Sequence, residues 1–358
     1  MDSSLFYNLS VLPDLIKNTD VLFVTLPKEH LGVADNKMIV QTLINDNNFC
    51  HITYSGSALP VKDVQKLYNN IKGKDFSHIV AVGGGTVIDI AKIIAIALSN
   101  CLDKIDDILS NPYGFKNLKQ LIFVPTTCGT GSEATHFAVV YKDGRKYSVA
   151  NESIRAESVI LDHTLLVNLP EKIRNATVLD ALSQAIESFW SKNSTKQSSQ
   201  YAKEAIVLIL KGIDSIDITE KLKCFQIGSY LAGKAINISK TTAPHAISYP
   251  LTAKFGIPHG IAVFLTLSEI AEINCNSETE NIFNELFELF KVNDIFSFNK
   301  SLSDIMNIFG FSLSLSSYGV KSAVLPEIAE NSIVPGRSDN NPVEVNKEVV
   351  LNVLKKIL

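Results

Sequence analysis

The sequence predicts an α/β N-terminal half built on a parallel sheet and an all-helical C-terminal half. Three observations carry this. Short β-branched and aromatic runs alternate with helical patterns early in the chain. Strand signals fade from about Leu165. Long amphipathic patterns then fill the remainder of the 358 residues. A chain of this length exceeds one small core, so two domains are expected, 1–164 and 165–358, with a cleft between them for a small molecule.

The elements follow in order. Residues 21–25, Val-Leu-Phe-Val-Thr, read as a strand ending before Pro27, and 51–54 read similarly. Residues 77–82 form a third run and stop at three glycines; 121–124 form a fourth and stop at Pro125. Helical patterns at 61–71 and 87–98 lie between them. Strands alternating with helices imply a parallel sheet covered on both faces. In the second half, helical periodicity marks 178–190, 201–210, 218–236, 261–273, 282–290 and 345–358. The stretch 336–342 reads as a polar loop.

Composition excludes several classes. A formal net charge of −4 argues against a general nucleic-acid binder. No run is long and apolar enough for a bilayer; the most apolar stretch, 87–98, carries Asp89 and Lys92. The opening Met-Asp-Ser-Ser-Leu-Phe lacks the basic region and apolar core of a signal peptide. Five scattered cysteines with no CxxC pair read as reduced thiols, which fits a cytoplasmic protein. Cys128 sits in a glycine-rich loop, but nothing near it in sequence would clearly lower its pKa.

Two loops suit a dinucleotide. Gly83, Gly84, Gly85 and Thr86 follow a strand and open a helix containing Asp89. Glycines permit close backbone approach, and the helix start offers free N–H groups and a positive dipole end. The pattern is neither GxGxxG nor a phosphate loop ending in Gly-Lys-Ser/Thr, and alone it equally fits a tight turn. The second loop carries Thr126, Thr127, Thr130 and Ser132 among glycines after another strand. Two such loops on neighbouring strands are what a dinucleotide requires in an open α/β sheet. Lys146 is either a donor to a ribose or substrate, or a solvated turn lysine.

A second constellation suits a metal. Asp180 and Gln184 stand four apart on one helical face, with Glu187 on the same stripe. Taken alone, that stripe reads as solvated. His245 and His259 are fourteen residues apart, joined by a segment with Pro250, Gly256 and Pro258. The helical turn begun at His245 is expected to end near Pro250. One carboxylate and two imidazoles suit a divalent ion of the iron(II) or zinc type.

Four motifs together carry a resemblance: Gly83 through Lys92, Pro125 through Glu133, Asp180 through Glu187, and His245 through Pro258-His259-Gly260. With the ending Asn341-Pro342-Val-Glu-Val, they resemble the iron-containing, metal-dependent alcohol dehydrogenases over nearly the whole chain. The resemblance implies a Rossmann-like NAD(P) domain and a helical metal- and substrate-binding domain, the fold shared with dehydroquinate synthase. It implies metal ligands at Asp180, His245 and His259, and a fourth at 184, where this chain has Gln instead of the family's usual His. It also implies NAD(P)H, a divalent metal (Fe2+, with Zn2+ the other choice) and a small aldehyde or alcohol substrate handled by a homodimer. Tyr249 stands where many members carry another His; its hydroxyl, and His245, are the candidates for proton transfer. Leu26, after the first strand, is neutral and leaves NADPH open beside NADH.

Two further stretches, 184–195 with 201–206 and 232–245, resemble members described as phosphonoacetaldehyde reductases. Lys234 and Lys240, just before His245, are candidates to meet a substrate dianion, or are solvated lysines. The rival readings are a dehydroquinate synthase-like or glycerol-phosphate dehydrogenase-like relative, and a catalytically silent dinucleotide-binding module.

Overall fold

The computed structural model describes residues 3–27, 43, 49–56, 58–143 and 145–358; Met1 and Asp2 of the stretch read for a leader lie outside these. The chain divides into two compact units. One comprises Met1–Leu169 with Asp217–Gln226, the other Pro170–Ile216 with Ile227–Leu358.

The first unit holds strands β1 (Ser4–Phe6), β2 (Val21–Thr25), β3 (Cys50–Thr53), β4 (His78–Gly83), β5 (Gln120–Pro125), β6 (Phe137–Lys142), β7 (Arg145–Ala150) and β8 (Ser158–Ile160). Its helices are α1 (Leu12–Leu15), α2 (Val61–Asn69), α3 (Gly85–Ser99) and α4 (Asp106–Ser110). Among the described residues a six-stranded sheet runs β1-β8-β5-β4-β2-β3, and every pairing in it is parallel. The four strands legible in sequence are its central and right-hand members. β2 is buried at all five positions, as a strand covered on both faces must be. Val21, Phe23, Val80, Val82, Ile122 and Val124 pack on one face against Leu9, Leu12 and Ile16. Each such side chain contributes about 1.5–3 kcal/mol by leaving water.

Three features escape a sequence reading. β1 and β8 have three residues each, too few for a period-two signal, and they pair with each other, Ser4 opposite Ser158 and Phe6 opposite Ile160. β6 and β7 form a separate antiparallel pair. The strand order reverses between β2 and β4: the chain passes from β2 outward to β3, then back across to β4 and β5. The carboxyl ends flanking such a reversal are where open α/β sheets bind ligands, and one of those ends is Gly83.

The second unit is helical: α5 (Glu171–Trp190), α6 (Lys196–Asp214), α7 (Ile218–Ser239, whose first turns are counted with the first unit), α8 (Ala243–Phe255), α9 (His259–Asn274), α10 (Glu280–Phe290), α11 (Ile295–Ile308), α12 (Leu325–Asn331) and α13 (Lys347–Lys356). Helix α5 is buried on nearly every side, so the expectation of a solvated stripe is wrong: Asp180, Gln184 and Glu187 are 4%, 3% and 0% exposed. Pro250 does not end α8, which runs five residues further to a left-handed Gly256. A proline removes one backbone donor, and here the packed helix tolerates the loss. The stretch 336–342 is more than a polar loop. Asn340 donates to the carbonyls of Ser239 and Thr241 at 2.9 and 3.0 Å. Asn341 and Asn274 exchange buried amide hydrogen bonds at 2.7 and 3.1 Å.

Candidate metal centre and dinucleotide loops

Three helices of the second unit bring Asp180, His245 and His259 together. One potential ligand atom from each lies within 4.8 Å of the others. Asp180 comes from the middle of α5, His245 from the first turn of α8, and His259 from the first residue of α9. The two imidazoles meet edge to face with centroids 5.4 Å apart. Asp180 Oδ1 is buried and faces His245 Nε2 at 3.2 Å, an ion-pair contact of imperfect hydrogen-bond geometry. A buried carboxylate is costly unless a cation meets it. This donor set, one carboxylate and two imidazoles around a common point, fits a divalent transition metal.

Neighbouring groups set which nitrogen of each histidine can bind. His245 Nδ1–H donates to Glu187 Oε1, which leaves Nε2 as the nitrogen that faces Asp180 and that can bind an ion once its own proton is displaced. The other Glu187 oxygen accepts from the Thr242 N–H at 2.6 Å and the Thr242 hydroxyl at 2.8 Å. Thr242 Oγ1 in turn accepts from the Trp190 indole at 2.9 Å. Ser248 Oγ commits its proton to the His245 carbonyl at 2.7 Å, so it can only accept from His259 Nδ1, 3.3 Å away. That frees His259 Nε2 for a ligand role.

The charges follow from these contacts. Burial alone would lower the His245 pKa; the carboxylates of Glu187 and Asp180 outweigh it and push the imidazole up to about 10. Burial opposes ionisation of Asp180, but the charge of His259, the hydrogen bond and charge of His245, and an amide hydrogen bond from Gln184 hold its carboxyl below the usual range. Gln184 therefore lies beside the cluster and touches Asp180. Tyr249, one turn after His245, stacks on the His259 ring with centroids 6.2 Å apart.

The dinucleotide candidates lie in the first unit. Gly84 and Gly85 face the second loop directly: a Cβ on Gly84 would stand 3.1 Å from Thr127 Cγ2, and one on Gly85 2.7 Å from Thr130 Oγ1. The Thr126 N–H donates to the Gly83 carbonyl at 3.1 Å. Asp89 has both oxygens engaged, accepting from Ser132 Oγ at 2.6 Å and from the Val139 N–H at 2.9 Å. Thr86 is half-buried at the start of α3. Lys146, half-buried on β7, lies close enough for its charge to act on Asp89. Cys128 is fully buried. Lys234 holds its ammonium 4.5 Å from the Tyr201 ring centre, and Lys240 is exposed with φ of 60° at the end of α7.

Sequence reasoning missed Glu187 and Lys92 as organisers. Glu187 lies seven residues, two helical turns, after Asp180 on the same stripe, which is the one signal that could have drawn attention to it.

Known proteins bear on both units. Residues 7–163 match the iron-containing alcohol dehydrogenase family, and 174–358 match the family's C-terminal region. The 4-hydroxybutyrate dehydrogenase of Clostridium kluyveri is 31% identical over 311 residues, 82% of each chain. The phosphonoacetaldehyde reductase of Streptomyces viridochromogenes is 34% identical over 208 residues, 54% of this chain and 52% of that one. A sulfoacetaldehyde reductase from Bifidobacterium kashiwanohense, solved in complex with NAD+, superposes with a TM-score of 0.89 at 26% identity over 99% of this chain and 96% of its own. The cofactors expected from sequence, a nicotinamide dinucleotide and a divalent metal, are those these relatives' names carry. The chain belongs to the iron-containing alcohol dehydrogenase family and is an oxidoreductase of that family.

Proposed function

We propose that this protein is a metal-dependent, NAD(P)H-linked enzyme that interconverts a small aldehyde and its primary alcohol. The observation that carries the proposal is the convergence of Asp180, His245 and His259 on one point, with His245 oriented by Glu187. The first unit is proposed to hold the dinucleotide at 83–86 and 126–132, and the second to hold metal and substrate. Asp180, His245 and His259 are the proposed metal ligands, and Gln184 is the adjoining side chain that can complete the set. A divalent ion held there supplies Lewis acidity to a carbonyl oxygen.

The chain's own groups do the rest. Asp180 and the two imidazoles fix the ion's position; Glu187 and Ser248 keep the imidazole protons on the outer nitrogens. The Tyr249 hydroxyl is the proposed proton donor to the substrate oxygen during reduction and its acceptor during oxidation. His245, the other sequence candidate for that relay, has its Nδ1 proton held by buried Glu187 and its Nε2 proposed for the ion, so the relay is assigned to Tyr249.

For the substrate we propose an aldehyde with an acidic group at the far end. Three relatives support this by name, acting on 4-hydroxybutyrate, phosphonoacetaldehyde and sulfoacetaldehyde. Phosphonoacetaldehyde, reduced to 2-hydroxyethylphosphonate, is the leading member of the class. Five free cysteines support a reducing, cytoplasmic setting, and no helix among the described residues is long and apolar enough to cross a membrane.

The test is dinucleotide oxidation by the metal-loaded protein against paired aldehydes, acidic and neutral, of matched length, with NADH and NADPH in competition. Faster turnover of acidic members supports the proposal. Reduction of neutral aldehydes alone overturns the substrate class, and no net dinucleotide oxidation with any aldehyde overturns the activity in favour of a lyase-like or silent relative.

A further inference from the structure

Asp89 and Lys92 stand one helical turn apart on α3, and both reach the segment that follows the second glycine loop. Lys92 is completely buried. Its ammonium donates to the Ser132 carbonyl at 2.6 Å, the Phe137 carbonyl at 2.7 Å, and the hydroxyls of Ser132 and Thr135 at 3.2 Å each. Asp89 accepts hydrogen bonds from the Ser132 hydroxyl and the Val139 N–H. Between them, the two side chains hold residues 132, 135, 137 and 139.

The effect passes to the loops through short links. The Ser132 N–H donates to Thr130 Oγ1 at 3.3 Å, and Thr130 packs where a side chain at Gly85 would be. Thr127 packs the same way against Gly84. The glycines of the first loop therefore make room for the threonines of the second, and each loop's path depends on the other's. Burying an ammonium is expensive, and an apolar side chain of similar length would fill the space at lower cost. The charge, with its several acceptors, fixes the backbone path in a way an apolar contact would not.

We propose that Lys92 is a positioning residue for dinucleotide binding: with Asp89 it ties the second glycine loop to the helix opened by the first, making the two loops one preorganised cradle. The proposal rests on the reading of these loops as the dinucleotide site. Preorganisation lowers the ordering that binding must otherwise impose, so its loss weakens affinity without touching the chemical step.

The experiment measures NADH and NADPH dissociation constants, cofactor KM and kcat on the full-length metal-loaded protein, with metal content as a control. Lys92→Met keeps the length and removes the charge; Thr135→Val deletes one acceptor outside the loops. The expected result is a dissociation constant and KM raised ~10-fold in Lys92→Met and ~3-fold in Thr135→Val, with kcat at saturating cofactor and metal content unchanged. Dissociation constants within ~2-fold of wild type in folded Lys92→Met overturn the proposal, as does a fall in kcat alone. Should Lys92→Met not fold, Thr135→Val decides, and an unchanged dissociation constant in that variant overturns it. Wild-type protein that binds neither dinucleotide sinks the reading of the loops, an outcome separate from variants that bind as well as wild type.

Discussion

Gly260 and Asp180 touch across two helices. A Cβ built on Gly260 would stand 2.0 Å from the Ala176 carbonyl oxygen, 2.8 Å from the Asp180 nitrogen and 3.0 Å from Asp180 Cβ. The start of α9 thus lies directly on the turn of α5 that presents the carboxylate, and this close approach brings His259 beside Asp180. Gly260→Ala must push backbone from backbone. It is expected to destabilise the protein by about 1–3 kcal/mol and to weaken metal binding at the same time. Calorimetric unfolding together with metal titration checks both; a variant with wild-type metal affinity would show that the contact does not set the ligand geometry.

Glu187 holds three donors, from His245, Thr242 N–H and Thr242 hydroxyl, with no exposure to solvent. Glu187→Gln keeps the shape but offers one acceptor oxygen in place of two. Metal affinity is expected to fall ~10–100-fold, as when a partner orienting a ligating histidine is lost. Isothermal titration of the stripped variant with zinc is the measurement, and unchanged affinity would remove Glu187 from any role in orienting His245.

Gln184 is buried and hydrogen-bonded to Asp180, at the position where the resemblance places a fourth imidazole. Gln184→His is expected to tighten divalent metal binding on the order of 10-fold, since imidazole is the better donor for iron(II) or zinc. An equal or weaker affinity would mean that position 184 supports Asp180 and does not face the ion.

Glu133 is 3% exposed, and burial pushes its carboxyl up to about 7, against the opposing backbone hydrogen bond and the charge of Lys92. The folded protein therefore binds a proton here that the unfolded chain has released from about pH 4.5 upward. The resulting stability is fully present below about pH 4.5 and is lost as pH rises through about 7. Glu133→Gln is expected to gain on wild type across that window, by on the order of 2–3 kcal/mol at pH 8. Denaturant titrations of both proteins at pH 5 and pH 8 check it; a constant difference between them would contradict the raised pKa.

What the sequence discloses depends on how local the signal is. β2, β4 and β5 are continuous β-branched and aromatic runs, so burial on both faces is written in adjacent residues. The candidate ligands stand out because carboxylate and imidazole are the right donors. Helix α5 misleads for the opposite reason: a helix buried all round has no solvated face, so its polar stripe is indistinguishable in sequence from a surface one. Glu187 and Lys92 acquire meaning only from partners 55 and 40 residues away, at Thr242 and Ser132. Asn341 reads as a turn residue until Asn274, 67 residues earlier, meets it in the core.

The most direct test is metal stoichiometry. Stripped wild-type protein and His259→Ala, each confirmed folded by circular dichroism, are titrated with Fe2+ and Zn2+ and assayed by elemental analysis after dialysis. One tightly held ion per wild-type chain and none in His259→Ala is the predicted result. Wild-type protein that retains no ion, or a variant that retains it equally well, would contradict a metal centre at Asp180, His245 and His259.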